Sequence, residues 1–318
     1  MAWALILILF LLVGCGQAGS APPATSQPAL NDNAELEKTL WDVDQQWLCS
    51  GPYGKSYKDC VQFRSKYWVD QFFEVIPSGD ILNKEEMVAT QAARIPDNPD
   101  PRLAPYPDEF KLRAVYGDFA MATDHTYFKS KDKSGNLIFT TASKVLRLFV
   151  KENGAWRPAA AGLVPIIQPS SPVTPIEHLK PTPSPDAALE KQLAEIDRAW
   201  MDSSDMKKRV AYVTNLFTDQ WFEILGWDPT GNTIKSTTVQ ILSKFADSNA
   251  PPGVVQDQFH LQALYGDVAL ATDRRTRTWK NDKGKMVKTP HRTVLVFVKQ
   301  NGEWKSAGAS LTPILTPE

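Results

Sequence analysis

Four aspartates carry most of the chemistry this chain offers. Asp44 and Asp197 each stand four residues after a leucine (Leu40, Leu193) and three before a tryptophan (Trp47, Trp200). On a helix that spacing sets a carboxylate at the edge of an apolar stripe. Such a group can act as a general base whose pKa is raised by apolar surroundings. The plainer reading is a partly buried Asp accepting bonds from backbone N–H groups of a neighbouring loop, and its return at the same place favours that reading. Asp124 and Asp273 are disfavoured residues for a strand interior, yet both close the same kind of run. With period two, Ala120, Ala122 and Asp124 share a face, as do Ala269, Ala271 and Asp273. Small residues beside a carboxylate leave room for a ligand.

Beyond that run the sequence diverges. His125, Thr126, Tyr127 and Phe128 stand where Arg274, Arg275, Thr276 and Arg277 stand later. Asp273, Arg275, Arg277 and Trp279 alternate onto one face, which suits an anionic ligand. A solvated face of paired charges, or a polar face between domains, is the competing account. His125 points to the face opposite Asp124, so the two make no simple dyad. Of the other histidines, His178, His260 and His291, no pair shows ligand spacing, and neither a metal nor a cofactor is expected. The chain has no nucleophile elbow, phosphate loop or dinucleotide fingerprint. A net charge of −1 gives no electrostatic case for a nucleic-acid partner.

The elements that must position these residues are written twice. Tyr116-Gly117-Asp118-Phe119-Ala120 returns as Tyr265-Gly266-Asp267-Val268-Ala269. Asp70-Gln71-Phe72-Phe73-Glu74 returns as Asp219-Gln220-Trp221-Phe222-Glu223, and Phe149-Val150-Lys151 with Asn153-Gly154 and Trp156 returns as Phe297-Val298-Lys299 with Asn301-Gly302 and Trp304. A period near 150 residues makes each copy a complete domain with its own core. Each opens with an amphipathic helix (Leu36, Leu40, Val43, Trp47; Leu189, Leu193, Ile196, Trp200), capped by Asp32 or Asn33 in one copy and Asp186 in the other. A second helix follows, over Val61 to Val69 and Lys207 to Phe217, then a short strand, Phe72 to Ile76 and Trp221 to Leu225. After a glycine turn comes a third helix, with Asn83 and Glu86 forming a capping box. The rest reads as an antiparallel meander whose Asn-Gly pairs are strong hairpin signals. In the first copy, Arg94 to Asp108 holds five prolines and reads as a rim or a stiff connection.

Residues 1–14 lie outside the fold: Trp3 to Val13 is an apolar run too short to span a bilayer but suited to a signal peptide. It ends in Leu12-Val13-Gly14-Cys15, which resembles a bacterial lipobox, and the resemblance implies a lipid on Cys15. The expected location is the cell envelope, and the outer membrane facing the periplasm if the source is Gram-negative. Residues 15–33 read as a flexible tether, 34–168 as the first domain, 169–186 as a linker with six prolines, and 187–318 as the second domain. In an oxidising compartment, Cys49 and Cys60 are expected to close a short loop as a disulfide. The second copy lacks both cysteines and is four residues shorter there.

Three helices followed by a long meander give an α+β domain with helices on one sheet face. The helix-one Trp, the Gly-Asp-x-Ala-x-x-Thr strand, the Asn-Gly hairpin and the closing Pro-Ile resemble the nuclear transport factor 2-like superfamily, in its SnoaL-like, ketosteroid-isomerase-like branch. The resemblance implies two tandem cone-shaped domains, each a strongly curved, mostly antiparallel sheet packed on three helices, with a pocket at the wide end. Single-domain relatives pair through the sheet face, so the two copies are expected to form an intramolecular pseudo-dimer. Members include isomerases, dehydratases, cyclases and binding modules, and fold alone does not choose. The favoured expectation is a non-catalytic envelope module for a small apolar or anionic ligand or a protein partner. The alternative is an isomerase- or dehydratase-type enzyme with Asp44 or Asp124 as base.

Overall fold

The apolar run Val294 to Val298 is unbroken, although a strand with one wet face would alternate. The computed structural model explains it. Leu295 and Phe297 face the second domain's own helix core with Leu193, whereas Val294, Val296 and Val298 join a core shared with the first domain. The structure describes residues 33–49, 57–93, 105–131, 133–167, 183–201, 205–225, 233–244, 254–280 and 285–314. The lipobox, the tether and most of the proline-rich linker lie outside them.

The first half runs α1 (Asn33–Leu48), α2 (Tyr57–Tyr67), β1 (Phe73–Val75), β2 (Ile81–Asn83), α3 (Lys84–Ala93), β3 (Tyr106–Tyr116), β4 (Phe119–Lys131), β5 (Leu137–Glu152) and β6 (Ala155–Ile167). The second repeats it as α4 (Ala187–Met201), α5 (Met206–Leu216), β7 (Phe217–Leu225), β8 (Thr233–Ile234), α6 (Lys235–Lys244), β9 (Val254–Tyr265), β10 (Val268–Lys280), β11 (Met286–Gln300) and β12 (Glu303–Pro313). Each half builds one six-stranded sheet, ordered β2-β1-β6-β5-β4-β3 and β8-β7-β12-β11-β10-β9. All pairings are antiparallel except β1 with β6 and β7 with β12, which are parallel. This is the α+β, mostly antiparallel architecture that the resemblance implies, present twice.

Local sequence explains the joints. Asp186 accepts from the backbone N–H groups of Ala188 and Leu189 at the start of α4. The Asn83 backbone donates to Glu86 Oε2 while the Glu86 backbone donates to Asn83 Oδ1, a complete capping box. Asn153-Gly154 and Asn301-Gly302 all have positive φ, as a type I′ hairpin turn requires. In both copies a glutamate of the first helix, Glu37 or Glu190, accepts from the backbone N–H of Leu112 or Leu261. The helix is thereby tied to a bulged strand of its own sheet.

Three expectations shift. Helix α2 begins at Tyr57, so Cys60 sits in a helix; it is bridged to Cys49, with Cα atoms 6.0 Å apart. Phe217, read as helical, starts strand β7, because its backbone turns extended and pairs with Ser306. The proline-rich stretch ends in β3, where Pro107 is tolerated on an edge strand.

The outer faces of the two sheets meet, β6 against β12. A Cβ on Gly162 would lie 2.0 Å from Ser310 Oγ, and one on Gly308 would lie 2.6 Å from Met121 Cε, so the bare backbones set how closely the sheets approach. Thr312 Oγ1 donates to the Leu163 carbonyl (2.8 Å), and the Tyr116 and Thr218 hydroxyls meet at 3.0 Å.

Candidate functional site

In the first domain, α1 brings Asp44, β4 brings Asp124 and β5 brings Arg147 to one point inside the helix–sheet core. Asp44 is fully buried and Arg147 nearly so. Arg147 Nε lies 2.5 Å from Asp124 Oδ2 and 2.9 Å from Asp44 Oδ1. Its Nη2 donates to Thr126 Oγ1 (2.9 Å), and that hydroxyl donates to Asp124 Oδ1 (2.7 Å). The guanidinium also lies over the Trp47 ring, 4.5 Å from its centroid. Trp47 in turn packs edge-on against Trp68, Phe72 and Phe149, and its carbonyl accepts from Arg64 Nε (2.6 Å).

A single Nε–H faces two carboxylates here, and it can satisfy only one. Asp124 takes it. Among the described residues neither Asp44 oxygen has a hydrogen-bond donor, so a proton of its own is the economical way to hold that group in the core. Burial, opposed by Arg147 and reinforced by Asp124 and Glu74, pushes the Asp44 carboxyl up to about 8. Glu74 on β1, of intermediate exposure, is pushed up to about 7 by burial, with Arg147 and Arg64 opposing. Arg147 is held charged: its carboxylate neighbours outweigh the cost of burial.

The second domain reaches the same balance differently. Arg275 Nε donates to Asp273 Oδ2 (2.8 Å), and its Nη2 donates to both Asp197 oxygens (2.8 and 3.0 Å). Glu223 Oε1 stands 3.9 Å from Nη1. Gln256 Nε2 donates to Asp197 and, at 3.3 Å, to Asp273. Asp197, Asp273 and Arg275 are all buried, and the three acids around Arg275 raise its pKa despite that burial.

The structure thus gathers all four aspartates singled out from the sequence into two buried clusters, Asp44 with Asp124 and Asp197 with Asp273. The charge each cluster faces is a guanidinium, where the sequence suggested backbone N–H donors for Asp44 and Asp197 and a ligand or a solvated face of paired charges for Asp124 and Asp273. The small residues are met from β5 by large ones: Phe149 stands across from Ala120 and Arg147 across from Ala122. Arg275, read as a receiver for an anionic ligand, is engaged by Asp197 and Asp273 of its own domain. Arg277 and Trp279 lie in β10, and their side chains fall outside the described residues. His125 does face away from Asp124, toward Asp108 and Glu109.

Sequence reasoning missed Arg147, Glu74, Glu223, Arg64 and Gln256. A signal existed for the first: Arg147 is the one charge within Val145 to Val150, and the second copy has Leu295 there.

No protein-family model matches the chain, and no curated protein matches it. Solved structures similar to it include a nuclear transport factor 2-like protein of unknown function in nutrient uptake from Rhodospirillum rubrum, at 19% identity, 41% of this chain, 99% of that one and TM-score 0.30. Another is Aln2 from a Streptomyces species, at 11% identity, 43% of this chain, 93% of that one and TM-score 0.32. A third is a hexachlorocyclohexane dehydrochlorinase, at 12% identity, 48% of this chain, 98% of that one and TM-score 0.35. Each of these is matched over nearly its whole length by about half of this chain.

Proposed function

We propose that the protein is a lipid-anchored module of the cell envelope whose paired domains bind a small apolar or anionic ligand, or a protein partner, without catalysing a reaction. The observation that carries this reading is the closure of both carboxylate clusters on internal guanidinium groups. A general base must reach the proton it removes. Asp44, Asp124, Asp197 and Asp273 are at most 3% exposed, and Asp124 and Asp273 are each held at hydrogen-bond distance by an arginine. An ion pair filling the centre of each domain serves cohesion better than turnover. The lipobox supports anchoring through Cys15, and the meeting of the two sheets supports a fixed intramolecular pair.

The test is native mass spectrometry of the full chain extracted from membranes in mild detergent. A bound mass released on unfolding, recovered chemically unchanged after incubation with fresh protein, is the expected result. If the compound is converted by the wild type and not by Asp44→Asn, the enzyme reading replaces this one. Cys15→Ala should release the chain from the membrane fraction; unchanged partitioning removes the anchor.

A further inference from the structure

On the sheet face opposite the buried aspartates, three metal-ligating groups converge. Asp108 lies directly across from His125 in the β3–β4 register. A bulge follows at once: Glu109 has φ +51°, and the register shifts between Asp108 and Lys111. A bulge lets consecutive residues, which would otherwise point to opposite faces, turn toward one side. Both carboxylates accordingly approach the same imidazole. His125 Nδ1 is 3.4 Å from Glu109 Oε2 and 3.9 Å from Asp108 Oδ1, and one ligand atom from each of the three lies within 4.8 Å of the others. Metal–ligand bonds of about 2.0–2.2 Å place neighbouring ligands roughly 3–3.5 Å apart, so little adjustment is needed. Asp108 Oδ1 is shielded from solvent and has no hydrogen-bond partner among the described residues. The His125 ring stands edge-on to Tyr127, at 90° and 6.5 Å between centroids, which limits its rotation.

The other domain shows what this place requires. It keeps the bulge, with Gln258 at φ +50°, and it keeps the aspartate as Asp257. There the imidazole is replaced by Arg274, which donates to Asp257 at 3.2 Å, and Gln258 accepts from Arg292 at 3.2 Å. The second copy supplies fixed positive charge to one acid. The first sets its two acids beside His125, whose neutral form supplies no charge, with Lys144 of β5 across from His125 where the second copy has Arg292.

We propose that Asp108, Glu109 and His125 form a binding site for a divalent transition metal, with zinc the best match to one imidazole nitrogen and two carboxylates. The half-exposed position leaves further coordination places to water or to a partner's side chain. The site shares no residue with the buried clusters and stands or falls apart from the ligand-binding reading.

The experiment uses the full chain in detergent, stripped with a chelator, dialysed and titrated with zinc by calorimetry, with cobalt(II) absorption as a second readout. One equivalent is expected. His125→Arg copies the residue that the second domain folds with, and should weaken zinc binding at least 100-fold while leaving the thermal melt in place. Asp108→Asn and Glu109→Gln should each cost tenfold or more, and His260→Gln should change nothing. Zinc uptake that is equal in wild type and His125→Arg overturns the proposal. So does uptake that disappears with His260→Gln, because the metal would then sit in the other domain.

Discussion

The two domains keep the same three acids but take their positive charge from different strands. Asp44, Glu74 and Asp124 correspond to Asp197, Glu223 and Asp273 by their places in the repeat. In the first domain the guanidinium comes from β5, as Arg147, opposite Ala122. At the matching place, opposite Ala271, the second domain has Leu295. Its guanidinium comes from β10 instead, as Arg275, where the first domain has Thr126. Arg64 of α2 has also become Val213. Position on the sheet was free to change, whereas the presence of a cation was not. A buried carboxylate without a counter-charge or a proton costs several kcal/mol, so loss of one arginine is tolerable only with gain of another within reach of the same acids.

That exchange can be broken directly. Arg147→Leu gives the first domain the second domain's residue without its compensation, and should destabilise it by about 3–5 kcal/mol in denaturant unfolding. Adding Thr126→Arg should restore a large part of the loss. A double variant no more stable than the single would show that the two positions are not equivalent. Next in size is the bridge that only the first domain has: Cys49→Ser with Cys60→Ser should cost about 3 kcal/mol, and a second-domain probe should register little of it.

The comparison also extends to pH. Asp44 is raised in the folded state from 3.8 to about 8, so the folded chain holds a proton there that the unfolded chain has already lost. The resulting stability is fully present below about pH 4 and disappears as pH rises toward about 8, with Glu74 adding to the loss between about 4.5 and 7. The Asp44 slope is at most about 1.4 kcal/mol per pH unit. Asp44→Asn should flatten it, and an unchanged pH profile in that variant would remove the extra proton from the account. The smallest effect expected is at the hairpins, where Gly154→Ala or Gly302→Ala forces a side chain into positive φ. Each should cost about 1 kcal/mol, nearly equally in the two domains.

Much of the fold was legible because its signals are local. Asn153-Gly154 and Asn83 with Glu86 specify a turn and a cap from neighbouring residues alone, and Leu36 to Trp47 specifies a helix face. The expectation for Phe217 failed where a local preference met a non-local partner, Ser306 on β12. The clusters were half visible. Asp44 and Asp124 were marked by type and position, but Arg147 could not be assigned to them, since β5 meets β4 only after a turn whose register is a property of the sheet. Asp108, Glu109 and His125 were hidden for a related reason, since a bulge is what brings adjacent residues to one side.

The sequence by itself determined that one α+β module occurs twice, where its caps and hairpin turns lie, and that a cysteine follows an apolar run. Those facts rest on periodicity and on short-range chemistry, which the chain carries wherever it goes. Only the tertiary structure decided which charges meet, that each domain's carboxylates close on its own arginine, and that the outer sheet faces are buried against each other. Apart from Asp273 with Arg275, such contacts join residues from 23 to 149 positions apart, and their energies depend on burial. Burial is a property of the assembled core, and no segment of the sequence possesses it alone.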